Sequence, residues 1–276
     1  MTYREALEEG NAYLAGHEIQ EASVDAWYLM EHVCGMNRTQ YLIRMREPMP
    51  EADYVRYQSV LAERAGHVPL QHITGEQEFM GMPFRVSDKV LIPRQDTEIL
   101  VEETLKVVKP GMHVLDLCTG SGCILISLLR LCPGLAGTGT DVSPEALAVA
   151  EENARRLDVK ADLIESDLFE RIHGMFDVIV SNPPYIPTGV IGQLMAEVRL
   201  HDPMLALDGK KDGLYFYRRI VQECDLYLKR GGWLVFEIGH DQGEQVTAIM
   251  RAHHFTGVRV VRDLAGLDRV VLGKRS

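Results

Sequence analysis

Asn182-Pro183-Pro184-Tyr185 is the stretch whose composition points most directly to chemistry. Two consecutive prolines fix the backbone and donate no hydrogen bond, which leaves carbonyl oxygens free to face a ligand. An amide or aromatic amine nitrogen has a delocalised lone pair and is a poor nucleophile. A site acting on it must aim the nitrogen and stabilise the positive charge that grows there. The Asn182 side-chain oxygen and the Pro183 carbonyl can each accept one N–H of the same NH₂ group, which is positioning with electrostatic preorganisation and no strong base. Tyr185 is then expected as a wall against the planar group. The polar Asn182 directly follows the apolar run Val178-Ile179-Val180, a placement that argues against a plain surface turn.

Asp116-Leu117-Cys118-Thr119-Gly120-Ser121-Gly122 offers a different function, the binding of a cofactor. It stands where a buried strand turns into a helix, Cys123 to Leu131. Its two glycines let the backbone pass close to a ligand, and the helix N-terminus behind them offers N–H groups. Asp141 ends the next strand about 20 residues on, where a carboxylate grips ribose hydroxyls, and Ser143 already fills the helix-capping role there. Nicotinamide and adenosylmethionine proteins both satisfy these signals. The dinucleotide fingerprint wants a small residue where Leu125 stands, so a pyrophosphate-bearing cofactor is disfavoured. Ser166-Asp167-Leu168-Phe169 closes a further strand with an acid and an apolar neighbour, suited to an adenine amino group and ring face. Open parallel sheets bind ligands at the carboxyl ends of their strands, so these ends and Asn182 are expected to share one cleft.

The elements that must position them follow from the hydrophobic pattern. Tyr3 to Leu14, Val24 to Val33 and Tyr54 to Ala65 carry apolar residues at helical spacing, which predicts a small helical domain over 1–75. Short β-type segments around Gly81-Met82-Pro83 and Ser87-Asp88 predict a hairpin linker over 76–92. In the remainder, 93–276, strand candidates alternate with helices: Val114 to Leu117, Gly137 to Thr140, Asp162 to Glu165, Val178 to Val180 and Trp233 to Ile238. Such alternation predicts an α/β fold with a mostly parallel sheet. After Gly257 the helices stop, and Val258 to Arg262 and Arg269 to Leu272 must form an antiparallel pair, since a parallel crossover needs more chain.

Composition excludes several classes. A formal charge of −11 disfavours extended nucleic-acid binding, which needs clustered Lys and Arg. The longest apolar stretch, Cys123 to Leu129, is too short to span a bilayer, and the acidic N-terminus is no export signal, so a cytoplasmic location without membrane contact is expected. Cys118, Cys123 and Cys132 straddle a turn and an apolar helix without zinc spacing, and His253 and His254 lie near a helix end. Structural cysteines and no metal are expected.

Three further segments bring in a family. Pro69-Leu70-Gln71-His72-Ile73-Thr74-Gly75, Glu78-Phe79-Met80-Gly81 and Leu91-Ile92-Pro93-Arg94-Gln95-Asp96-Thr97-Glu98 resemble the junction of the PrmC/HemK family of release-factor glutamine methyltransferases. The turn at Asp116 to Gly122, Asp141 and Asn182 to Tyr185 are similar to that family's sites. The resemblance implies a class I S-adenosylmethionine-dependent methyltransferase, Rossmann-like with a seven-stranded, mostly parallel sheet and a small N-terminal helical domain that docks the substrate. It implies S-adenosylmethionine held by Asp116, Cys118, Thr119, Gly120, Ser121, Gly122, Asp141, Asp167, Leu168 and Asn182. The substrate it implies is the glutamine of the Gly-Gly-Gln motif in bacterial peptide-chain release factors, bound by Asn182, Pro183, Pro184 and Tyr185. It implies methylation at N5, with Asn182 and Pro183 as the catalytic pair, and through it modulation of translation termination. Cys118 stands where relatives often have Gly. Arg94 and Glu98 either make a junction salt bridge or cap, or shape the substrate entrance. The competing readings are a DNA adenine-N6 or ribosomal RNA methyltransferase, a sister enzyme acting on a ribosomal protein, a nicotinamide enzyme and a non-catalytic binding module.

Overall fold

The computed structural model describes residues 1–276, which divide into two units, Met1–Glu76 with Met195–His201 and Gln77–Leu194 with Asp202–Ser276. The first unit is helical: α1 (Tyr3–Gly16), α2 (Ala22–Cys34), α3 (Arg38–Arg44), α4 (Glu51–Ala65) and α5 (Leu70–Thr74). Thr2 with Glu5 and Asn37 with Gln40 close capping boxes that satisfy the first N–H groups of α1 and α3. Leu14, Leu29, Met30 and Tyr57 are sealed in its core, and the Tyr57 hydroxyl donates to the Ala26 carbonyl at 2.9 Å. Arg64 is buried and bonds Asp25 at 2.6 Å, the Val68 carbonyl at 3.2 Å, and Glu197 of the short helix Ala196–His201. That guanidinium, with all three nitrogens engaged, is what ties residues 195–201 to this unit.

The second unit opens with a two-stranded hairpin, β1 (Glu76–Phe79) and β2 (Met82–Arg85), followed by α6 (Gln95–Leu105). Its sheet contains β3 (His113–Leu117), β4 (Ala136–Asp141), β5 (Asp162–Glu165), β6 (Phe176–Ser181), β7 (Leu228–Glu237), β8 (Phe255–Arg262) and β9 (Asp268–Arg275), in the order β5-β4-β3-β6-β7-β9-β8. All pairs are parallel except β7/β9 and β8/β9. Helices α7 (Cys123–Leu131) and α8 (Pro144–Arg156) follow β3 and β4. The chain runs outward from β3 to β5 and then reverses to β6, so the β3/β6 pair is the switch point where ligands enter such sheets.

Alternate strand residues supply two cores. Val114, Val178, Val180 and Val235 pack with Leu100, Ile124, Leu125 and Leu128, while Leu115, Leu117, Ile179, Leu234 and Phe236 pack with Tyr217, Ile220, Val246 and Met250. The expected antiparallel terminal pair is present, with one difference. β8 begins at Phe255 and carries Gly257, at φ +60°, inside a register shift. The glycine is a bulge within the strand and not the point where it starts. Likewise β7 begins at Leu228, ahead of Trp233, because Gly231 at φ +75° continues the strand through an irregular step.

Candidate active site

The turn after β3 is built from left-handed backbone. Cys118, Gly120 and Gly122 have φ of +60°, +55° and +78°. A Cβ at Gly122 would meet Ile126 at 2.9 Å and Ala150 at 3.1 Å, so this glycine serves packing. A Cβ at Gly120 would meet nothing within 4 Å, so its backbone faces open space where a ligand can approach closely. Asp141 joins this turn to the one after β4: Oδ2 accepts the Gly120 N–H at 2.9 Å and Oδ1 the Ser143 N–H at 3.0 Å. Burial raises the Asp141 pKa, and the Ser143, Gly120 and Val142 N–H groups hold it back. Asp116 lies beneath, fully buried, accepting from the Thr119 hydroxyl at 2.6 Å. Burial pushes its carboxyl up to about 7.

Sequence reasoning asked for a small residue at Leu125 in the case of a dinucleotide. The strand supplies the small residues instead: a Cβ at Gly137 or Gly139 would meet Leu125 at 2.6 or 2.9 Å. Helix and strand therefore approach closely with Leu125 in place. Asn153, fully buried on α8, was also missed. It accepts from Arg85 N at 2.7 Å and donates to the carbonyls of Arg85 and Ser121 at 3.0 and 2.9 Å, fixing hairpin and turn together.

One cavity is lined by Arg94, Thr97, Cys118, Thr119, Gly120, Ser121, Asp141, Val142, Asp167, Leu168, Asn182, Pro184, Leu205 and Phe216, among others. Of the expected site residues, Asp116, Gly122, Pro183 and Tyr185 are not among its lining. The first two support the turn, and Tyr185 packs at the edge of the core that contains Phe236. Asp167 is held by Arg219 through two contacts of 3.0 and 3.1 Å. The rest of that turn is set by Leu168 at φ +51° and by the Ser166 hydroxyl donating to Leu168 O at 3.0 Å. Apolar walls, the open backbone at Gly120 and the carboxylate of Asp141 on one side fit a nucleoside with hydroxyls to bind.

The Asn182–Tyr185 turn leaves β6 directly beside the turn after β3, since Ser181 and Leu117 are register partners and the Ser181 hydroxyl donates to Leu117 O at 2.7 Å. Its far end is gripped by remote residues. Gln242 Nε2 donates to the carbonyls of Tyr185 at 3.0 Å and Gly213 at 3.4 Å, while its Oε1 accepts Gly239 N–H at 3.0 Å. A Cβ at Gly209 would stand 2.7 Å from the Tyr185 backbone, and one at Gly213 would overlap the Tyr185 carbonyl. Glu237, 2% exposed at the end of β7, is pushed up to about 7 by burial, with Thr97, Arg269 and Asn182 favouring the charge and Asp96 opposing it. The sequence did carry a signal for Glu237: an acid directly after the apolar run Trp233 to Phe236, the same kind of strand ending that singled out Asn182.

Arg94 borders the cavity and pairs with Asp202 at 2.7 Å. Glu98 accepts the Met80 N–H at 2.6 Å and so anchors the hairpin turn.

Residues 5–75 match the family described as PrmC N-terminal domain, and residues 95–201 match Methyltransferase small domain. A Release factor glutamine methyltransferase of Geobacter sulfurreducens is 40% identical over 274 residues, covering 99% of this chain and 96% of the relative. One from Moorella thermoacetica is 41% identical, covering 100% of this chain and 99% of the relative. In fold, the chain is similar to a crystal structure of a methyltransferase from Pyrococcus furiosus, with a TM-score of 0.56 and 17% identity over 72% of this chain and 91% of that one. No helix is long and apolar enough to cross a membrane. Near-complete coverage at this identity, with both regions matched separately, places the chain in the release factor glutamine methyltransferase family.

Proposed function

We propose that the cleft transfers a methyl group from S-adenosylmethionine to N5 of the glutamine in the Gly-Gly-Gln motif of bacterial peptide-chain release factors. The observation that carries this reading is that Asn182 and Pro184 line the same cavity as Gly120 and Asp141, at adjacent strand ends. When bound, S-adenosylmethionine supplies a methyl group on a sulfonium, which needs no metal. Asp141 is the group for the ribose hydroxyls, the open Gly120 backbone admits the nucleoside, and Leu168 and Phe216 offer apolar contact to the adenine ring.

Asn182 Oδ1 and the Pro183 carbonyl, which accepts no main-chain hydrogen bond, take the two hydrogens of the substrate amide. Holding both would present the π face of the nitrogen to the methyl and stabilise the positive charge that builds as the N–C bond forms and the bond from that methyl to the sulfonium breaks, with one amide proton then released to solvent. Pro184 walls the cleft beside them. We assign the helical region 1–75 to docking of the release factor, 76–92 to the linker that begins with the β1–β2 hairpin and leads to the catalytic region 93–276, and the whole chain to the cytoplasm without sequence-specific nucleic-acid binding.

The test is incubation with labelled S-adenosylmethionine and purified release factor, followed by mapping the label by peptide mass. Label on the Gly-Gly-Gln glutamine is expected. In the same assay Asn182→Ala lowers turnover by at least about tenfold while donor affinity stays largely intact, the loss typical of one preorganised polar contact. Label elsewhere on the release factor, or none, removes the substrate assignment.

A further inference from the structure

Glu237 is buried at a place where a carboxylate is costly. Ser181 and Phe236 are register partners in the parallel β6/β7 pair, so Asn182, just past the end of β6, and Glu237, the last residue of β7, stand side by side. The groups facing its carboxylate come from each neighbouring element: Thr97 and Asp96 on α6, Arg269 on β9 and Asn182 on the acceptor turn. Tyr185 and Cys123 also feel its charge, and the Tyr217 hydroxyl bonds its main-chain carbonyl at 2.9 Å. Its Oε2 has no hydrogen-bond partner. Replacement by an apolar residue would remove this cost, so a carboxylate here calls for a role.

We propose that Glu237 is a positioning residue that sets which way the Asn182 amide points, resting on the reading of Asn182 as the group that holds the acceptor nitrogen. An ionised carboxylate accepts hydrogen bonds and donates none. Beside it, the Asn182 amide directs its Nδ2 hydrogens toward Glu237 and turns Oδ1 toward the cleft, the face that accepts the substrate N–H. A protonated Glu237 gains an O–H donor that competes for Oδ1, and in that arrangement the Asn182 NH₂ stands opposite the substrate NH₂, donor against donor. Methyl transfer therefore depends on the ionised form of a residue that never touches the substrate.

Burial pushes this carboxyl up to about 7 from an ordinary 4.5. For a raised acid, the contribution to stability is full below the ordinary value and is lost as pH rises through the folded one. The charge needed for orientation thus costs stability at neutral pH, and its neutral isostere is relieved of that cost. This separates a positioning role from a merely structural one.

The experiment measures kcat at saturating donor and release factor from pH 6 to 9 for the wild type, Glu237→Gln, Asn182→Ala and the double variant. The wild type should show an acid limb centred near pH 7, falling about tenfold per pH unit below it. Glu237→Gln should melt no lower than the wild type at pH 8, run about tenfold slower there and lack the limb. In the Asn182→Ala background Glu237→Gln should slow the reaction no further, because it acts through a side chain already removed. A Glu237→Gln enzyme that keeps the wild-type rate and limb overturns the inference, as does an undiminished slowing in the double variant. The wild-type profile tests it without any variant, since a flat kcat across this range also overturns it. If Asn182→Ala is as active as the wild type, the acceptor assignment fails, and the inference with it.

Discussion

The two sides of the cleft are held by opposite means. The cofactor turn is fixed by its near neighbours: Thr119 caps Asp116, Asp141 reaches Gly120 and Ser143, and the glycines of β4 receive Leu125. The acceptor turn is fixed from afar. Gln242 reaches back to Tyr185, Glu237 stands beside Asn182, and Gly209 and Gly213 enclose the Tyr185 backbone. The segment joining Ile186 to Asp208, whose ends pair as a bridge, includes residues 195–201 that belong to the helical unit. A small-molecule donor can be gripped by a turn that is complete in itself. An acceptor site for a protein side chain is instead assembled from the loops around it, and damage to either side should have a different signature.

Gly213→Ala should break the acceptor side most severely. Its φ of +73° disfavours a Cβ, and the added atom would overlap the Tyr185 carbonyl and crowd Gln242 Nε2 at 2.6 Å. Displacing Tyr185 by about an ångström at a site that works by alignment should cost about a hundredfold in turnover. Titration with S-adenosylmethionine should show unchanged donor affinity. A parallel loss of donor affinity would mean the two sides are not separately held.

The same division explains what could be read from sequence. The β-α alternation, the Cys123–Leu131 helix and the Ser143 cap were legible because each depends on residues within a few positions. That residues 118–121, Asp141 and Asn182 share one cavity was legible because all follow apolar runs at strand ends. Gln242 was not, since its amide has meaning only once β7 is placed beside β6, which brings together residues separated by 57 positions. Arg64 reads as an ordinary helix residue until Asp25 and Glu197 close around it. The span 188–207, three short helices of which two start after a proline, gave no periodic signal because each piece is under two turns long.

Asp141→Ala should break the other side, and less. It removes the proposed ribose contact and strands the Gly120 and Ser143 N–H groups that it now satisfies. Bonds to a charged acceptor are worth roughly 1.5–3 kcal/mol, so donor affinity should fall at least about tenfold. At saturating donor the turnover should recover most of its wild-type value. A large fall in turnover that saturation does not repair would place Asp141 in the acceptor machinery and erase the distinction.

Cys118→Gly sharpens the comparison by testing whether the cofactor turn is as self-contained as its bonding suggests. Cys118 sits at φ +60°, a conformation that costs a residue with a Cβ about 1–2 kcal/mol and costs glycine almost nothing. Glycine gives back roughly 0.5–1 kcal/mol through the greater freedom of the unfolded chain. The thiol is half-buried and borders the cleft, so its removal widens an existing opening and leaves no sealed void. The balance is a gain of at most about 1.5 kcal/mol, read as a small rise in melting temperature with turnover and donor affinity unchanged. A variant that melts several degrees lower would show that the thiol braces the turn against its surroundings, and that the cofactor side, too, leans on contacts beyond its own loop.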